Sequence, residues 1–380
     1  MKRLKSAVIG LGFIGAAHIE AVRRLGFVDV VAVCDPVDAH QKAAVNHIDQ
    51  SFSDYKDMIE KLDLDFIHIC TPNYTHYEIA AYAIEKGINI ILEKPMTMTV
   101  DEGKKLAALA KKHKVVAAVN FQNRFYPAAH YLKELIGSGE IGDITSISGS
   151  YLQDWLLYET DYSWRLETSK SGSTRAIADI GSHWIDLIEY ISGLRITEVM
   201  ADFKTVYHKR KKAKGQNLTF SQKSKAASVE YEEIPIDTED MASLMLRFEN
   251  GAVGSALINQ MFAGKKNSID VKISGTVASV EWNLDDLSNV VIGRRSSPNQ
   301  IVTKDAGLMG KDTASLISFP AGHAEGFPDA FKQGFKQIYS KALDDKSETF
   351  FADLEAGLRE MIICEKIRES SQKNSFVKIL

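Results

Sequence analysis

A glycine-rich turn near the N-terminus has the residue spacing of a phosphate-binding loop. Gly10, Gly12 and Gly15 stand in the order G-x-G-x-x-G, after a short apolar run and before a helical pattern. The first glycine permits a tight turn, the second lets the backbone approach a pyrophosphate, and the third allows close packing of helix on sheet. The helix N-terminus would offer free N–H groups to the phosphates. This context predicts a dinucleotide site; the alternative is a structural turn without a ligand.

An acidic residue at the end of the second predicted strand favours NAD over NADP. Asp35 lies 20 residues after Gly15. A carboxylate at this position accepts a hydrogen bond from the ribose 2′-hydroxyl and repels a 2′-phosphate. The next residues, Pro36, Val37 and Asp38, offer that phosphate no arginine or lysine. We therefore expect NAD as the cofactor, with NADP less favoured.

A second polar turn, Cys70–His76 (CTPNYTH), follows another clear strand. Ligands of open parallel sheets lie beyond the carboxyl ends of the strands. Thr71, Asn73 and His76 are therefore predicted to contact the cofactor. The alternative is a helix-entry turn in which Pro72 only interrupts the backbone.

The tripeptide Glu93-Lys94-Pro95 ends the following strand at the same predicted edge. A lysine there points into the crevice, where its cation can bond a substrate hydroxyl and favour the developing alkoxide. A cis bond before Pro95 would fix the direction of the lysine. The alternative is a surface ion pair between Glu93 and Lys94.

A third motif combines carboxylates with an imidazole. Asp179, His183 and Asp186 share one face of a predicted helix, because residues three and four apart are neighbours there. A carboxylate can orient the ring and hold its charge, which makes His183 a candidate general base. Two alternatives stay open: a metal site, which is weak without further ligands, and a structural histidine beside an ion pair. We expect no metal.

The elements that must position these residues begin with a repeated strand–helix pattern before Phe125. Apolar runs between helices predict strands buried on both faces of a parallel sheet with right-handed crossovers. Capping boxes at Thr75 and Thr99 mark two helix starts. The predicted strands are 7–9, 28–34, 66–70, 88–92 and 115–120, and the predicted helices are 14–25, 75–86 and 99–112.

After Phe125 the pattern changes to strand-like alternation with fewer helices. Asn250-Gly251 is a hairpin signal between two of the new strands. The predicted strands are 144–151, 244–248, 252–258 and 269–274, and the predicted helices are 176–191, 329–344 and 352–370. This part predicts an antiparallel or mixed sheet. We place the boundary near Gln122, with domains of 1–122 and 123–380.

Composition narrows the class of partner. The chain has 380 residues, and 46 basic against 50 acidic side chains give a formal charge of −4. This balance argues against a protein that coats nucleic acid or an anionic membrane. The basic run Lys209–Lys214 has no interleaved aromatics, so we expect a solvated insertion between strands with its tip at Gly215–Asn217. Three scattered cysteines, and no apolar stretch of membrane or signal-peptide length, predict a cytoplasmic protein.

Four motifs together resemble those of the Gfo/Idh/MocA family, which includes glucose–fructose oxidoreductase and inositol dehydrogenase. These motifs are Gly10–Gly15, Thr71–Asn73, Glu93–Pro95 and Asp179-x-x-x-His183. The resemblance implies a Rossmann doubly wound parallel sheet followed by an α+β domain with an open, mainly antiparallel sheet. It also implies hydride transfer between a sugar-like secondary alcohol and nicotinamide. The family's lysine and histidine match Lys94 and His183, its helix aspartate matches Asp179, and a homodimer or homotetramer is expected.

Shorter stretches are similar to a subgroup that acts on sugars or anhydrosugars, the levoglucosan dehydrogenases. They are Tyr151–Trp155, Trp164–Arg165, Thr238–Asp240, Ala263–Asn267 and Gly322–Phe327. A polyol is recognised by hydrogen bonds and by aromatic stacking on ring C–H faces. The predicted substrate residues are Asn123, Gln153, Asp154, Trp164, Arg165, Asp179, His183 and His323. The predicted cofactor-binding residues are Gly10, Gly12, Phe13, Ile14, Gly15, Asp35, Thr71, Pro72, Asn73, His76, Glu93, Lys94 and Gln122.

The expected function is an NAD(P)-dependent dehydrogenase of a sugar, anhydrosugar or cyclitol, with Lys94 and His183 in proton transfer. Two other functions stay open: a catalytically silent NAD-binding regulator or sensor, and a redox-assisted dehydratase or glycosidase of the same fold. Retention of Lys94, Asp179 and His183 argues against a silent protein. The expected partner is a small sugar or cyclitol, without nucleic acid or membrane.

Overall fold

Short apolar strands separated by helices build the first sheet. The computed structural model describes residues 3–214 and 230–379. The parallel strands of this sheet are β1 (Leu4–Ile9), β2 (Val28–Cys34), β3 (Gln50–Phe52), β4 (Phe66–Ile69), β5 (Asn89–Leu92) and β6 (Ala117–Val119). Their spatial order, β6-β5-β4-β1-β2-β3, is that of a doubly wound Rossmann sheet. The two-residue strand Ala352–Asp353 pairs antiparallel with β6 at one edge. The predicted parallel α/β fold is confirmed.

Helices follow most of these strands and recur later in the chain. In chain order the α-helices are α1 (Phe13–Arg23), α2 (Ala39–Val45), α3 (Tyr55–Lys61), α4 (His76–Glu85), α5 (Val100–His113), α6 (Pro127–Gly137), α7 (Thr168–Ser171), α8 (Ser182–Ser192), α9 (Lys311–Leu316), α10 (Phe327–Leu343) and α11 (Leu354–Lys373). The capping box predicted at Thr99 forms. The Glu102 N–H donates to the Thr99 hydroxyl oxygen, and the Thr99 N–H donates to Glu102 Oε2. The box predicted at Thr75 was wrong, because its hydroxyl donates to the Thr71 side chain and the Pro72 carbonyl instead.

Alternate side chains of the parallel strands enter two separate apolar clusters. Ala7 and Ile9 of β1 face a cluster that also contains residues of α3, α4 and α5. Val8, between them in sequence, faces a cluster with residues of α1 and α2. Helices therefore cover both faces of the sheet, which is why its strands are apolar at nearly every position.

The second sheet is mainly antiparallel, as predicted. The remaining strands are β7 (Ile144–Leu152), β8 (Ile196–Lys204), β9 (Lys209–Ala213), β10 (Tyr231–Pro235), β11 (Met241–Phe248), β12 (Val253–Asn259), β13 (Ser268–Gly275), β14 (Ser279–Asn283), β15 (Asn289–Gly293), β16 (Gln300–Thr303) and the two-residue Val377–Lys378. The order is β16-β15-β14-β13-β7-β12-β11-β8, followed by Val377–Lys378, and β7 with β12 is its parallel pair. β9 and β10 pair separately. The predicted hairpin at Asn250-Gly251 connects antiparallel β11 and β12.

The run Lys209–Lys214, predicted as a solvated insertion between strands, is itself largely a strand. Lys209–Ala213 pairs with β10, and Lys209, Lys211 and Lys214 each form an ion pair with a glutamate. Arg210 is fully buried. The lysines of this run are partly or fully exposed, as expected of a solvated insertion. The burial of Arg210 was not predicted, because composition alone does not separate an exposed run from a strand with one buried arginine. The predicted tip at 215–217 lies outside the described residues.

Contacts divide the chain into two compact units whose membership is not continuous in sequence. The first unit comprises the described residues up to Tyr126 together with Ala324–Met361. The second comprises the described residues within Pro127–His323 and those from Ile362 onward. The predicted domains were 1–122 and 123–380, so the segment 324–361 marks the main difference. The reason is apolar burial: Phe331, Phe335 and Tyr339 of α10 pack into a core cluster of the first unit.

No helix within residues 3–214 and 230–379 combines the length and the apolar character needed to cross a bilayer.

Candidate functional site

The glycine turn lies where the strand order of the first sheet reverses. β1 and β4 are hydrogen-bonded neighbours, and Gly10 directly follows β1. Gly10 has φ +89°, and a Cβ there would lie 2.7 Å from the Cys70 carbonyl. A Cβ on Gly15 would lie 2.0 Å from the Gly10 oxygen, whereas one on Gly12 would meet no atom within 4 Å. The outer glycines therefore serve packing, and the middle one leaves the room that a pyrophosphate requires. The residues present fit NAD.

Asp35 is fixed against the glycine turn. Its Oδ2 accepts from the Leu11 N–H at 2.8 Å and its Oδ1 from the Val37 N–H at 3.0 Å. Lys42 of α2 places its Nζ 2.8 Å from Asp35 Oδ1. The three residues after Asp35 include no cation, but the first turn of α2 brings Lys42 back to the carboxylate. Asp35 is thus held by two backbone donors, and a cation lies beside it.

The His76 side chain packs inside the turn after β4 and contacts its backbone. His76 is fully buried, with Nε2 2.9 Å from the Thr71 oxygen and Nδ1 2.9 Å from the Pro95 oxygen. Burial lowers its pKa. A neutral imidazole has one N–H, so His76 lies between the turns after β4 and β5 and donates to only one of these two oxygens. Asn73 is also buried, in a single 3₁₀ turn that begins the helix.

Glu93 is buried, which removes the surface ion pair as an interpretation of Glu93-Lys94-Pro95. Its Oε1 lies 2.6 Å from Asn120 Nδ2 and 3.0 Å from His18 Nε2. Burial acts to raise the pKa of Glu93, but the hydrogen bond and charge of His18, with the Asn120 amide, lower it to about 2. The peptide between Lys94 and Pro95 is cis. Lys94 is half-buried beside a carboxylate that stays ionised.

Two amide side chains follow β6 at the same sheet edge. Gln122 and Asn123 lie in the 3₁₀ turn Gln122–Phe125, and both are buried. Asn123 Nδ2 has no hydrogen-bond partner among the residues that the structure describes. A buried amide donor without a partner is costly. Asn123 is thus a group whose position suits a polar ligand.

In the second unit, the predicted helix 176–191 divides into two kinds of turn. Ile177–Gly181, with Asp179, is a π-helical segment, and α8 begins directly after it, with His183 buried in its first turn. π-helical turns often occur at functional sites. Trp184 anchors α8 on the sheet by donating to the Asp270 carbonyl at 3.0 Å. Gly149 of β7 permits this approach, since a Cβ there would lie 2.9 Å from the indole nitrogen.

Asp179 accepts hydrogen bonds from two side chains that lie outside the motif Asp179-x-x-x-His183. Arg165 Nε lies 3.0 Å from Asp179 Oδ1, and Gln260 Nε2 lies 2.8 Å from Oδ2. Arg165 was predicted to bind substrate, and the Trp164 ring stacks on its guanidinium at 4.6 Å. Trp164, Arg165 and Asp179 are thus brought together. Gln260 carried no signal in the sequence beyond its place after a strand.

A buried charged cluster fixes the orientation of Gln260. Arg175 donates to Gln260 Oε1 at 3.1 Å, and a guanidinium can only donate. The amide nitrogen of Gln260 must therefore face Asp179. Asp240 accepts from both Arg175 and Arg210, and all three side chains are fully buried. We call Arg175, Arg210 and Asp240 the arginine cluster.

Other predicted substrate residues are engaged elsewhere in the second unit. Asp154 pairs with Lys266 at 2.7 Å, and Gln153 donates to Asn267 at 2.9 Å. His323 lies in an exposed turn with Nδ1 3.3 Å from the Pro320 oxygen. None of these contacts involves Asp179. In the described ranges, no three His, Cys, Asp or Glu side chains form a metal-binding group.

Comparison with known proteins extends these observations to the whole chain. The model of the oxidoreductase family with an NAD-binding Rossmann fold (GFO_IDH_MocA) matches residues 4–121, and the GFO/IDH/MocA C-terminal domain matches residues 129–281. The chain is 30% identical to levoglucosan dehydrogenase from Pseudarthrobacter phenanthrenivorans over 396 aligned positions, which cover 100% of this chain and 99% of the relative. It is 29% identical to inositol 2-dehydrogenase from Salmonella paratyphi B, over 39% of this chain and 46% of that relative.

Solved structures show the same architecture. A levoglucosan dehydrogenase in complex with NADH and L-sorbose aligns with a TM-score of 0.89 and 27% identity, over 100% of both chains. An inositol dehydrogenase homologue from Azotobacter vinelandii, complexed with NAD⁺, aligns with a TM-score of 0.86 and 21% identity, over 99% of this chain and 97% of that one. The second likeness concerns the fold alone. With both domain models matched and a full-length relative at this identity, the chain belongs to the Gfo/Idh/MocA family of oxidoreductases.

Proposed function

We propose that the protein is an NAD-dependent dehydrogenase that oxidises a secondary alcohol of a sugar, anhydrosugar or cyclitol. The observation that carries the proposal is the shared edge of the first sheet. The turn of Gly10–Gly15 follows β1, and Lys94 follows β5, so a dinucleotide and a cation belong to the same carboxyl edge. The full-length similarity to a levoglucosan dehydrogenase supports the substrate class.

The first unit would hold the dinucleotide. The glycine turn receives the pyrophosphate at the N-terminus of α1, and Asp35 accepts from the ribose hydroxyls. When bound, NAD⁺ supplies the hydride acceptor. The half-buried Lys94 donates a hydrogen bond to the substrate hydroxyl and stabilises negative charge as it develops on that oxygen.

The second unit would supply the base. His183 removes the proton of the substrate hydroxyl, directly or through Lys94. The carbon that bears this hydroxyl loses its hydride and becomes the carbonyl carbon of a ketone. Asp179, held by Arg165 and Gln260, keeps the imidazole in its reactive orientation. The alcohol thus loses one proton to the protein and one hydride to the cofactor.

Replacement of the two proton-transfer residues tests the mechanism. Lys94→Ala and His183→Ala should each lower the turnover number about 10²- to 10⁴-fold, the usual contribution of a positioned acid or base. Binding of NAD, measured by titration, should change little. The assay follows NADH absorbance with levoglucosan, glucose, sorbose and inositols as substrates. Lys105→Ala, an exposed lysine of α5, is the matched control.

Two outcomes would replace the proposal. NAD binding without NADH formation on any of these alcohols would identify a silent sensor. Bond cleavage in the products without net NADH would identify a redox-assisted dehydratase or glycosidase. Unchanged turnover in either alanine variant would remove that residue from the mechanism.

The cofactor preference depends on Asp35. Asp35→Ser removes the negative charge that would repel a 2′-phosphate and leaves Lys42 in place. The ratio of kcat/KM for NADP to that for NAD should rise at least about tenfold, as expected for exchanging an unfavourable charge contact for a favourable one. The double variant with Lys42→Ala should lose this gain. An unchanged ratio in Asp35→Ser would contradict the role assigned to Asp35.

A further inference from the structure

A line of buried polar side chains connects the core of the first unit to Glu93. His18 of α1 lies with Nε2 3.0 Å from Glu93 Oε1 and with Nδ1 2.8 Å from His68 Nδ1. His68 of β4 lies with Nε2 2.6 Å from the hydroxyl of Tyr339 on α10. His18, His68 and Tyr339 are each fully buried. We call these three residues the histidine relay.

The hydrogen-bonding capacities of these groups decide which atom donates to Glu93. An ionised carboxylate can only accept. Asn120 Nδ2 already donates to Oε1 at 2.6 Å, which is the contact of an ionised acceptor. The contact between His18 and Glu93 therefore requires a proton on His18 Nε2. This holds whether the ring is neutral or carries a second proton.

His68 and Tyr339 can satisfy His18 in both of its charge states. When His18 is neutral, its Nδ1 accepts, so His68 donates from Nδ1 and receives the Tyr339 hydroxyl proton at Nε2. When His18 is charged, its Nδ1 donates, so His68 accepts at Nδ1 and donates from Nε2 to the Tyr339 oxygen. The Ser6 side chain is hydrogen-bonded to the same hydroxyl and completes the line.

Apolar packing keeps the relay from rearranging in other ways. The His18 ring lies edge-on to Phe335, with ring centroids 4.7 Å apart, and 5.3 Å from the ring of Phe331. The His68 ring contacts Phe335 at 4.9 Å. Buried polar groups without partners are costly, so the rings must stay in the array that pairs their nitrogens.

We propose that His18, supported by His68 and Tyr339, is a positioning residue that holds Glu93 ionised and in one orientation, and through it the strand end from which Lys94 projects. The inference rests on the proposed function for its effect on turnover. It assigns the relay no contact with substrate or cofactor. Glu93 immediately precedes Lys94, so an anchored carboxylate restricts the backbone of the lysine and adds a fixed negative charge beside its cation.

A pair of matched substitutions separates positioning from bulk structure. In His18→Gln the amide nitrogen can take the place of Nε2 and still donate to Glu93. In His18→Asn the shorter amide matches Nδ1 and cannot reach Glu93. We expect kcat to fall about 10- to 100-fold in His18→Asn, the effect of losing a charge-assisted hydrogen bond. His18→Gln should stay within a few-fold of the wild type, with NAD affinity unchanged in both. Equal losses in the two variants would overturn the positioning role.

A spectroscopic measurement decides the assignment even if none of the tested alcohols is a substrate. Histidine labelled with ¹⁵N in the wild-type protein reports which ring nitrogens carry protons, and spectra of the His18 and His68 variants assign the two rings. We expect a protonated Nε2 on His18. His68 should be protonated at Nδ1 beside a neutral His18, or at Nε2 beside a charged one. A neutral His18 protonated at Nδ1 would refute the relay. If the tautomers are as expected but no NADH forms with any tested alcohol, the result contradicts the proposed function and leaves the relay in place.

Discussion

Glu93 in the first unit and Asp179 in the second each accept hydrogen bonds from buried polar side chains. The two sets of supporting side chains differ in their chemical type. Behind Glu93 lies the histidine relay, whose rings and hydroxyl can each donate or accept. Behind Asp179 lies Gln260, oriented by the arginine cluster, in which guanidinium groups only donate and the Asp240 carboxylate only accepts.

The difference concerns how each support responds to protons. The relay can exchange a proton among its members and still present a donor to Glu93. The arginine cluster has fixed directions at any ordinary pH, because arginine does not lose its proton. The first support is therefore adaptable, and the second is rigid and depends on a balance of charges.

The largest expected effect comes from unbalancing the arginine cluster. Asp240→Asn leaves Arg175 and Arg210 buried without a shared carboxylate, and should lower the free energy of unfolding by about 3–5 kcal/mol. Urea denaturation measures the loss, and hydrogen exchange should place it in β11 rather than in β4.

A surface pair provides the control for this loss. Asp285→Asn removes the partner of Lys265 in a pair whose side chains are 55% and 40% exposed. It should cost less than about 1 kcal/mol. Similar losses in the two variants would mean that the cluster is not held by its charges.

The second prediction is that acid weakens the first unit in two stages. Burial lowers the pKa of His68 well below 6.5. Below pH 6.5 the unfolded chain therefore binds a proton on this ring that the folded protein does not bind, and the free energy of unfolding falls as the pH drops. The pKa of Glu93 is lowered from 4.5 to about 2, so its contribution is complete above 4.5 and is lost as the pH falls to about 2. That contribution amounts to about 3 kcal/mol.

Urea midpoints measured across this pH range test the two stages. Glu93→Gln should lack the lower stage and keep the upper one. Glu85→Gln, an exposed position at the end of α4, is the control and should keep both. An acid profile of Glu93→Gln that matches the wild type would show that the relay does not hold the carboxylate.

The smallest expected effect tests the rigid support without breaking it. Gln260→Ala removes the donor to Asp179 Oδ2 and leaves Arg165 in place. Turnover should fall about tenfold, the value of one hydrogen bond to a charged group, and NAD affinity should stay unchanged. Gln41→Ala, exposed on α2, is the control. Wild-type turnover in Gln260→Ala would leave Arg165 as the sufficient support.

Local sequence signals were reliable where one short segment contains the whole interaction. Thr99 and Glu102 lie three residues apart, and their capping box forms as predicted. Thr75 and Glu78 have the same spacing, but Thr71 lies within reach of the Thr75 hydroxyl and takes it. The competing partner comes from the neighbouring turn, so the motif alone could not exclude it.

Signals failed where the partner is distant in sequence. Arg210 stands in a run that looks solvated, yet its carboxylate partner Asp240 lies 30 residues away and buries it. Tyr339 belongs to a segment that the sequence pattern places in the second domain. Its hydroxyl is hydrogen-bonded to His68, which lies 271 residues earlier in the chain. Composition and spacing carry no trace of such pairs.

The sequence by itself determined the doubly wound sheet, the dinucleotide turn and the identity of the motifs around Lys94 and His183, because each depends on periodicity or on neighbours within a few residues. Only the tertiary structure decided that α10 belongs to the first unit, that Lys42 reaches Asp35, and that Glu93 and Asp179 are held by buried partners from distant segments. The physical reason is that burial makes a polar group require a partner, and the chain can supply that partner from any element that packs nearby.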